Sequence, residues 1–234
     1  KMANNSVANN SKRLQRRTWG ELCHAAARRL LAPIDGVTLG LFRIGFAYVL
    51  FLQGQRWEDA TETFYKNGLL LSYPTFGWVP PPPPWLGDLE TWGLHVLPLF
   101  IGLGIFTRLA LLLEFMCFTH IFVVCESNHN NHYLLFCYAL AMAPVTCMDA
   151  NLSLDAFLYH WRHPKAPPRR IGRYNLFLWQ VMFSIPYTFG AVAKLNYDWM
   201  LHAQPPHEWF RRRQGLPYNI PGYPWMIAWG GFLF

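Results

Sequence analysis

The stretch LALLLEFMCFTHIFVVC, Leu109–Cys125, decides the fold class of this chain. It is almost wholly apolar and close to the roughly 20 residues that a helix needs to cross a bilayer. It also lacks the polar–apolar alternation of a strand. Similar runs occur on both sides of it, at Gly36–Gln53, Trp92–Phe106, Asn131–Cys147 and Leu176–Leu195. The sequence therefore predicts an all-α, multi-span helical transmembrane bundle with about five full spans.

The composition also favours a lipid-embedded chain. Apolar residues make up 53% of the sequence and charged residues 14%, whereas soluble domains carry about 25% charged residues. The net charge of +7 is accounted for by contact with membrane surfaces. We therefore expect membrane lipid as a partner and no nucleic acid. The five cysteines include no CxxC pair, so no metal site is predicted.

The two ends of the chain suggest its organisation. Residues 1–31 form a basic segment in which Trp19–Leu31 is amphipathic, as in a helix that lies along a membrane surface. Residues 32–234 form the transmembrane domain. The chain begins at Lys1 and stops inside the apolar run Trp225–Phe234, which is too short to span and predicts a truncated sixth span. We expect the sequence to be a fragment, incomplete at its C-terminus.

Basic residues are concentrated on alternate connections between the predicted spans. Most of them lie in residues 1–31, at Arg108 and in Met148–Asn175. The positive-inside rule places such segments in the cytoplasm or an equivalent compartment. The sequence therefore predicts an integral multi-pass protein with its N-terminus on the cytoplasmic side.

Ionisable residues inside membrane segments are costly and often functional. Arg43, in the first span, is expected to tie helices together through a carboxylate or backbone carbonyls. His120 is expected to be packed or hydrogen-bonded. Lys194 differs because it follows the small-residue segment Phe189–Ala193, which lets another helix approach closely. Burial at this position would favour a neutral amine, which can accept a proton.

The predicted spans bring two of these features to the same boundary. If the chain crosses the membrane at each predicted span, starting from a cytoplasmic N-terminus, the fourth span begins and the fifth span ends on the non-cytoplasmic side. Asn131 and His132 lie at the first of these positions and Lys194 at the second. We expect the amine to face this pair across a gap that excludes water.

Short motifs along the chain, taken in order, resemble the signatures of the vitamin K-dependent gamma-glutamyl carboxylases and their horizontally transferred transmembrane (HTTM) domain. They are LFRIG at 41–45, Thr107-Arg108, NNHYL at 130–134, MDAN at 148–151 with SLDA at 153–156, and AKLN at 193–196 with Asp198-Trp199. The resemblance covers about Ala32–Phe234. Arg43 and Arg108 are expected to be structural polar residues of this domain.

The resemblance implies a carbon–carbon lyase activity and its site. Lys194 matches the lysine that deprotonates reduced vitamin K, and His132, next to Asn131, matches the histidine that stabilises the reacting glutamate. The implied cofactor is vitamin K hydroquinone, with O2 and CO2 as co-substrates and a glutamate-containing protein as the substrate. Three aromatic residues would wall the quinone site and exclude water: Phe189, Tyr197 and Trp199. The family's eukaryotic members suggest the endoplasmic reticulum, while a bacterial inner membrane or an organelle membrane fits the charge pattern equally well.

Two other functions fit the same residues. The chain could be a catalytically silent membrane subunit that holds lipid, quinone or a neighbouring protein in a larger complex. It could also be a haem or metal protein, which would need facing histidines from two spans. The candidates for that role are His95, His120, His129 and His132.

Overall fold

A computed structural model describes residues 19–61 and 71–202 of the chain. The helices are α1 Trp19–Leu31, α2 Val37–Thr61, α3 Pro84–Leu103, α4 Thr107–Val124, α5 Asn131–Met142, α6 Leu154–Arg162, α7 Tyr174–Ala193 and α8 Tyr197–His202. Strands β1 Pro33–Asp35 and β2 Arg170–Gly172 pair antiparallel. The chain divides into two compact units, Lys1–Asn175 and Leu176–Phe234, and each is described by itself. The predicted helical class is confirmed.

Three helices of the described residues are long and apolar enough to cross a membrane. They are Val37–Glu58 within α2, all of α4 and all of α7. Helix α5 has 12 residues, about 18 Å at 1.5 Å per residue, and is shorter than the hydrocarbon core of about 30 Å. The described residues thus contain three candidate spans, and the expected count of about five is not confirmed. The predicted sixth span, Trp225–Phe234, lies outside the described residues.

Several helix boundaries differ from the expected ones. Helix α3 begins at Pro84, well before the expected Trp92, because a proline at the first helical position needs no hydrogen-bonded N–H. Thr107 and Arg108, which lie between two of the predicted spans, are the first two residues of α4. Helix α6 begins at Leu154, where the Ser153 hydroxyl accepts from the Ala156 N–H at 3.0 Å.

Close approach of backbones holds α2 against α3. A Cβ atom at Gly54 would lie 2.5 Å from the Leu94 carbonyl oxygen, so only glycine permits this contact. Further along, Gly102 of α3 packs on Ala47. The pairs Gly54–Leu94 and Ala47–Gly102 run in opposite directions along the two helices, which shows that α2 and α3 are antiparallel.

Helix α4 returns antiparallel to α3. His120 of α4 is bonded to Glu90 of α3, and Cys117 lies against Gly93. The Trp57 ring of α2 packs on Phe118 of α4 and Tyr133 of α5, with centroid distances of 5.3 and 5.0 Å. One end of the bundle, which we call the Asn131 end, therefore contains the C-terminal parts of α2 and α4 and the N-terminal parts of α3 and α5.

The opposite end is closed by α6 and by the β ribbon. The connection from α3 to α4 turns at Gly104 and Phe106, with φ of 73° and 45°. The Asp155 carboxylate accepts from the Phe106 and Thr107 N–H groups, both at 3.2 Å, and so caps α4 from α6. The ribbon pairs Ile34 with Ile171 and joins the start of α2 to the segment before α7.

Candidate functional site

Arg43 is a structural tie inside the first unit. Its side chain is 0% exposed. The guanidinium donates to the carbonyl oxygens of Met148 at 3.3 Å, Gly102 at 3.4 Å and Leu152 at 2.5 Å. One side chain thus joins α2 to the end of α3 and to the Met148–Leu152 segment. The sequence predicts that Arg43 pairs with a carboxylate or with backbone carbonyls, and in the structure its acceptors are backbone carbonyls.

Arg108 has a related position at the same end. Its Nε atom lies 3.7 Å from Asp149 Oδ1, and Arg169 Nη1 lies 3.1 Å from the other carboxylate oxygen of Asp149. Both arginine side chains are about half exposed, so these pairs stabilise the fold only weakly. Asp149, in the MDAN motif, thereby links the start of α4 to the segment before β2.

Asn131 and His132 are the first two residues of α5, at the Asn131 end. The preceding Asn130 caps this helix because its side-chain oxygen accepts from the His132 N–H at 2.9 Å. Both Asn131 and His132 are exposed. The next residue, Tyr133, packs on Trp57 and Phe118. The helix start is therefore fixed by its cap and by this aromatic packing, while the two candidate side chains remain accessible.

A second polar contact lies beside this helix start. The Tyr73 hydroxyl lies 3.2 Å from Nδ1 of His129, and the Leu71 carbonyl oxygen accepts from the Glu126 N–H at 2.7 Å. Burial raises the pKa of Tyr73 above its ordinary value, and the nearby Glu126 carboxylate raises it further. These contacts hold the segment 71–79 against the connection between α4 and α5.

Lys194 lies in the second unit, directly after α7. Its Nζ atom is 5.2 Å from the centre of the Trp199 ring, a distance at which lysine and indole attract each other. Asn196 caps α8, since its side-chain oxygen accepts from the Trp199 N–H at 2.9 Å. This cap fixes the ring next to the amine. Phe189 and Tyr197 are both exposed and lie before and after the lysine in the chain.

The predicted catalytic residues are thus divided between the two units. Asn131 and His132 belong to the first and Lys194 to the second. The structure describes the surroundings of each group, and the expectation that the amine faces the helix start across a dry gap stays a prediction.

Sequence reasoning missed two buried carboxyl groups in the first unit, those of Glu90 and Glu114. Nδ1 of His120 lies 2.7 Å from Oε1 of Glu90, and Nε2 of His95 lies 3.6 Å from Oε2 of Glu58. Glu114 is 0% exposed, and no described group hydrogen-bonds either of its carboxyl oxygens. A signal was present, because single glutamates inside apolar runs mark costly positions.

The histidines of the haem or metal hypothesis have other contacts. Nδ1 of His95 lies 2.8 Å from the Thr91 carbonyl oxygen, while His120 is bonded to Glu90 and His129 to Tyr73. Within residues 19–61 and 71–202, no group of three or more His, Cys, Asp or Glu side chains could hold a metal ion.

Comparison with known proteins supplies the family. No solved structure matches the chain. The family model described as the HTTM domain matches residues 31–234. This range contains Arg43, the helix start at Asn131 and the Lys194 segment. The chain belongs to the HTTM domain family, and its fold is that of a transmembrane domain.

Proposed function

We propose that this chain is a vitamin K-dependent gamma-glutamyl carboxylase-like membrane enzyme that couples vitamin K hydroquinone epoxidation to carboxylation of protein glutamate. The observation that carries the proposal is that the HTTM match over residues 31–234 includes Asn131, His132 and Lys194. By resemblance, these are the positions that carry the chemistry in the carboxylases.

The proposed role of Lys194 is that of the general base. It would take a proton from the hydroquinone hydroxyl, and a positioned base of this kind contributes roughly 10²–10⁴-fold to a rate. The Asn196 cap fixes the start of α8, and Trp199 of that helix lies beside the amine. A substrate hydroxyl in the same place would replace the indole as the neighbour of Nζ.

Asn131 and His132 would hold the glutamate. Both side chains are exposed at the first turn of α5, where the helix dipole favours negative charge. A glutamate carboxylate, or the carbanion that forms next to it, is a negatively charged group. The exposed imidazole and amide can donate hydrogen bonds to it.

The residues around Lys194 fit a flat apolar ring. Trp199 offers an indole face, and Phe189 and Tyr197 are exposed aromatic residues in the same segment. An apolar quinone could reach such a surface from the lipid. Reduced vitamin K, with O2, would supply a base strong enough to remove the γ-hydrogen of glutamate, which CO2 would then replace. The aromatic residues would exclude the water that quenches so strong a base.

The location is part of the proposal. Membrane lipid would surround the bundle, and the Asn131 end would lie on the non-cytoplasmic side with the N-terminus on the cytoplasmic side. The resemblance favours the endoplasmic reticulum. In this arrangement the site meets protein substrates as they are secreted.

The test uses the full chain in lipid nanodiscs with reduced vitamin K, O2, CO2 and a glutamate-containing peptide. Lys194→Ala should lower epoxide formation by about 10²-fold or more, and His132→Ala should lower peptide carboxylation more than epoxidation. Lys165→Ala, at an exposed position between α6 and β2, is the matched control and should keep both activities. Epoxidation retained in Lys194→Ala would rule out the assigned base.

The alternative is a silent membrane subunit that holds lipid, quinone or a neighbouring protein. It predicts that the wild-type protein forms no epoxide under these conditions. It also predicts that removing the chain weakens the assembly of a larger membrane complex.

A further inference from the structure

The core of the first unit contains polar groups that the proposed reaction does not use. Glu114 of α4 is 0% exposed, and Gln53 of α2 and Glu90 of α3 are each 7% exposed. No described group hydrogen-bonds the carboxyl oxygens of Glu114, Nε2 of Gln53 or Oε2 of Glu90. These side chains come from three helices, so their burial needs a common explanation.

Helix register places Gln53 and Glu114 at the same level. The rings of Trp57 in α2 and Phe118 in α4 are in contact, and α2 and α4 run in the same direction. Gln53 and Glu114 each lie four residues before these rings, one turn earlier on the same faces. An amide donor and a carboxyl group, both buried and unbonded, are therefore directed into the same layer of the core.

The pair Glu90–His120 lies closer to the Asn131 end. His120 follows Glu114 by six residues, roughly 9 Å along the helix axis at 1.5 Å per residue. Cys117 lies between them on α4, against Gly93. His120 is partly exposed, whereas Oε2 of Glu90 points into the buried side without a described partner. The polar groups thus form a column from the mid-bundle to the Asn131 end.

An ionised carboxylate cannot remain at the position of Glu114 without a partner. Burying an unpaired charge in an apolar medium costs many kcal/mol, and such a group neutralises instead. A protonated carboxyl group both donates and accepts hydrogen bonds. It can therefore pair with the Gln53 amide and with water, which fills polar sites lined by unbonded groups.

We infer that Glu114 and Gln53 form a proton-binding site inside the bundle, and that the Glu90–His120 pair connects this site to the Asn131 end through bound water. Uptake restores the proton of Glu114 after Glu114 has lost it, in the following sequence. A proton binds Nε2 of His120, the Nδ1 proton passes to Glu90, and Glu90 passes one proton through water to Glu114. Each step breaks one N–H or O–H bond and forms another. The net change is one proton gained by Glu114 and the His120 proton moved from Nδ1 to Nε2, so His120 must exchange its proton with solvent before the next uptake.

The other titratable groups of the surrounding helices are compatible with this path. Glu58 and His95 contact each other across α2 and α3. The described titratable groups on the helices around Glu114 are Arg43, Tyr48, Arg56 and Glu58 of α2, Asp88, Glu90 and His95 of α3, Arg108, Cys117 and His120 of α4, and His132, Tyr133, Cys137 and Tyr138 of α5. None of the described contacts gives Glu114 a cationic partner. The site does not depend on quinone chemistry, so it stands or falls separately from the proposed function.

Infrared spectroscopy of the protein in lipid tests the proton on Glu114. At neutral pH we expect a carbonyl band from a protonated carboxyl group. The band should be lost in Glu114→Gln, which keeps the size of the side chain, and kept in Glu21→Gln, at an exposed position in α1. The absence of this band in the wild type, or its persistence in Glu114→Gln, would overturn the proton site.

Hydrogen exchange tests the path. In heavy water the carbonyl band of Glu114 shifts as deuterium replaces the carboxyl hydrogen, and the rate of this shift reports how fast protons reach Glu114. Glu90→Gln should slow the shift by about tenfold, the effect of losing one charged hydrogen-bonding partner in a buried network. Glu21→Gln should leave the rate unchanged. An unchanged rate in Glu90→Gln would overturn the connection through Glu90 and His120.

Discussion

At the scale of single residues, Arg43 shows how one side chain can organise a membrane bundle. It donates to three carbonyl oxygens from two separate segments, and these oxygens lie near a helix end or in an irregular segment, where they lack a helical partner. Carbonyls at such positions need a donor, because water does not reach them inside lipid. The arginine therefore satisfies backbone groups that the helices themselves leave open.

Replacing Arg43 by methionine should therefore destabilise the protein strongly. The change leaves buried acceptors unbonded, and each costs about 1–3 kcal/mol. We expect a loss of about 3 kcal/mol or more in the free energy of unfolding, measured by denaturant titration in mild detergent. Arg56→Met, at an exposed position of α2, should change it little. Equal stability of the two variants would contradict the structural role.

Tyr73 gives a pH-dependent prediction outside the membrane segments. Its pKa is raised above the ordinary value of 10.0, first by burial and second by Glu126. The stability that this contributes is fully present below the pKa of an unfolded tyrosine and is lost as pH rises through the higher folded pKa. Stability should thus fall in alkaline solution above the ordinary tyrosine pKa.

The pKa of Tyr73 can be measured by following ultraviolet absorbance as the pH is raised. The titration of Tyr73→Phe is subtracted from that of the wild type, which leaves the signal of Tyr73. Glu126→Gln should lower the Tyr73 pKa but leave it above the ordinary value, since burial is the larger cause. A Tyr73 that ionises at or below its ordinary pKa would show that the hydroxyl is not buried as described.

At the scale of helices, glycine position decides how closely α2 and α3 pack. Gly54 lies against the Leu94 backbone, while a Cβ at Gly45 would meet nothing within 4 Å. Both glycines lie inside α2. They provide a matched pair in which only the neighbouring helix differs.

Gly54→Ala should destabilise the protein by about 1–3 kcal/mol, because the added methyl group forces the helices apart. Gly45→Ala should stabilise it by up to about 1 kcal/mol, since alanine has the higher helix propensity. Thermal unfolding of both variants in detergent measures the two shifts. Shifts of the same sign would mean that α2 and α3 do not approach as described.

Apolar runs predicted helix cores better than helix ends. The amphipathic segment Trp19–Leu31 and the decisive run in α4 match their helices closely. The start of α3 was missed because Asp88 and Glu90 interrupt the apolar run. Glu90 is nevertheless buried, since its partner His120 lies on another helix. A pairing between helices cannot be read from the polarity of one segment.

At the scale of the whole molecule, the candidate site shows the same limit. Sequence motifs singled out Asn131, His132 and Lys194 because each stands beside unusual polar neighbours. They could not indicate that Glu114 and Gln53 lie at the same level of the bundle. That depends on the register between α2 and α4, which are separated in the sequence by α3. Local sequence predicts which groups are chemically unusual, and packing decides which of them meet.

The orientation of the chain can be tested with its own cysteines. Cys23 is exposed on α1, whereas Cys125 and Cys137 are buried. A membrane-impermeant thiol reagent should label Cys23 from the cytoplasmic side of sealed vesicles, as the distribution of basic residues predicts. Cys23→Ser should lose that label. Labelling of Cys23 only from the opposite side would reverse the proposed orientation.

The β ribbon has a consequence for biogenesis. Its strand Pro33–Asp35 pairs with Arg170–Gly172, so the ribosome must add about 135 residues, which takes on the order of ten seconds at 5–20 residues per second, before the first strand finds its partner. Until then its backbone edge is open to other strands. A nascent chain arrested before Arg170 would carry this unpaired edge, which quality-control factors could recognise as the mark of unfinished synthesis.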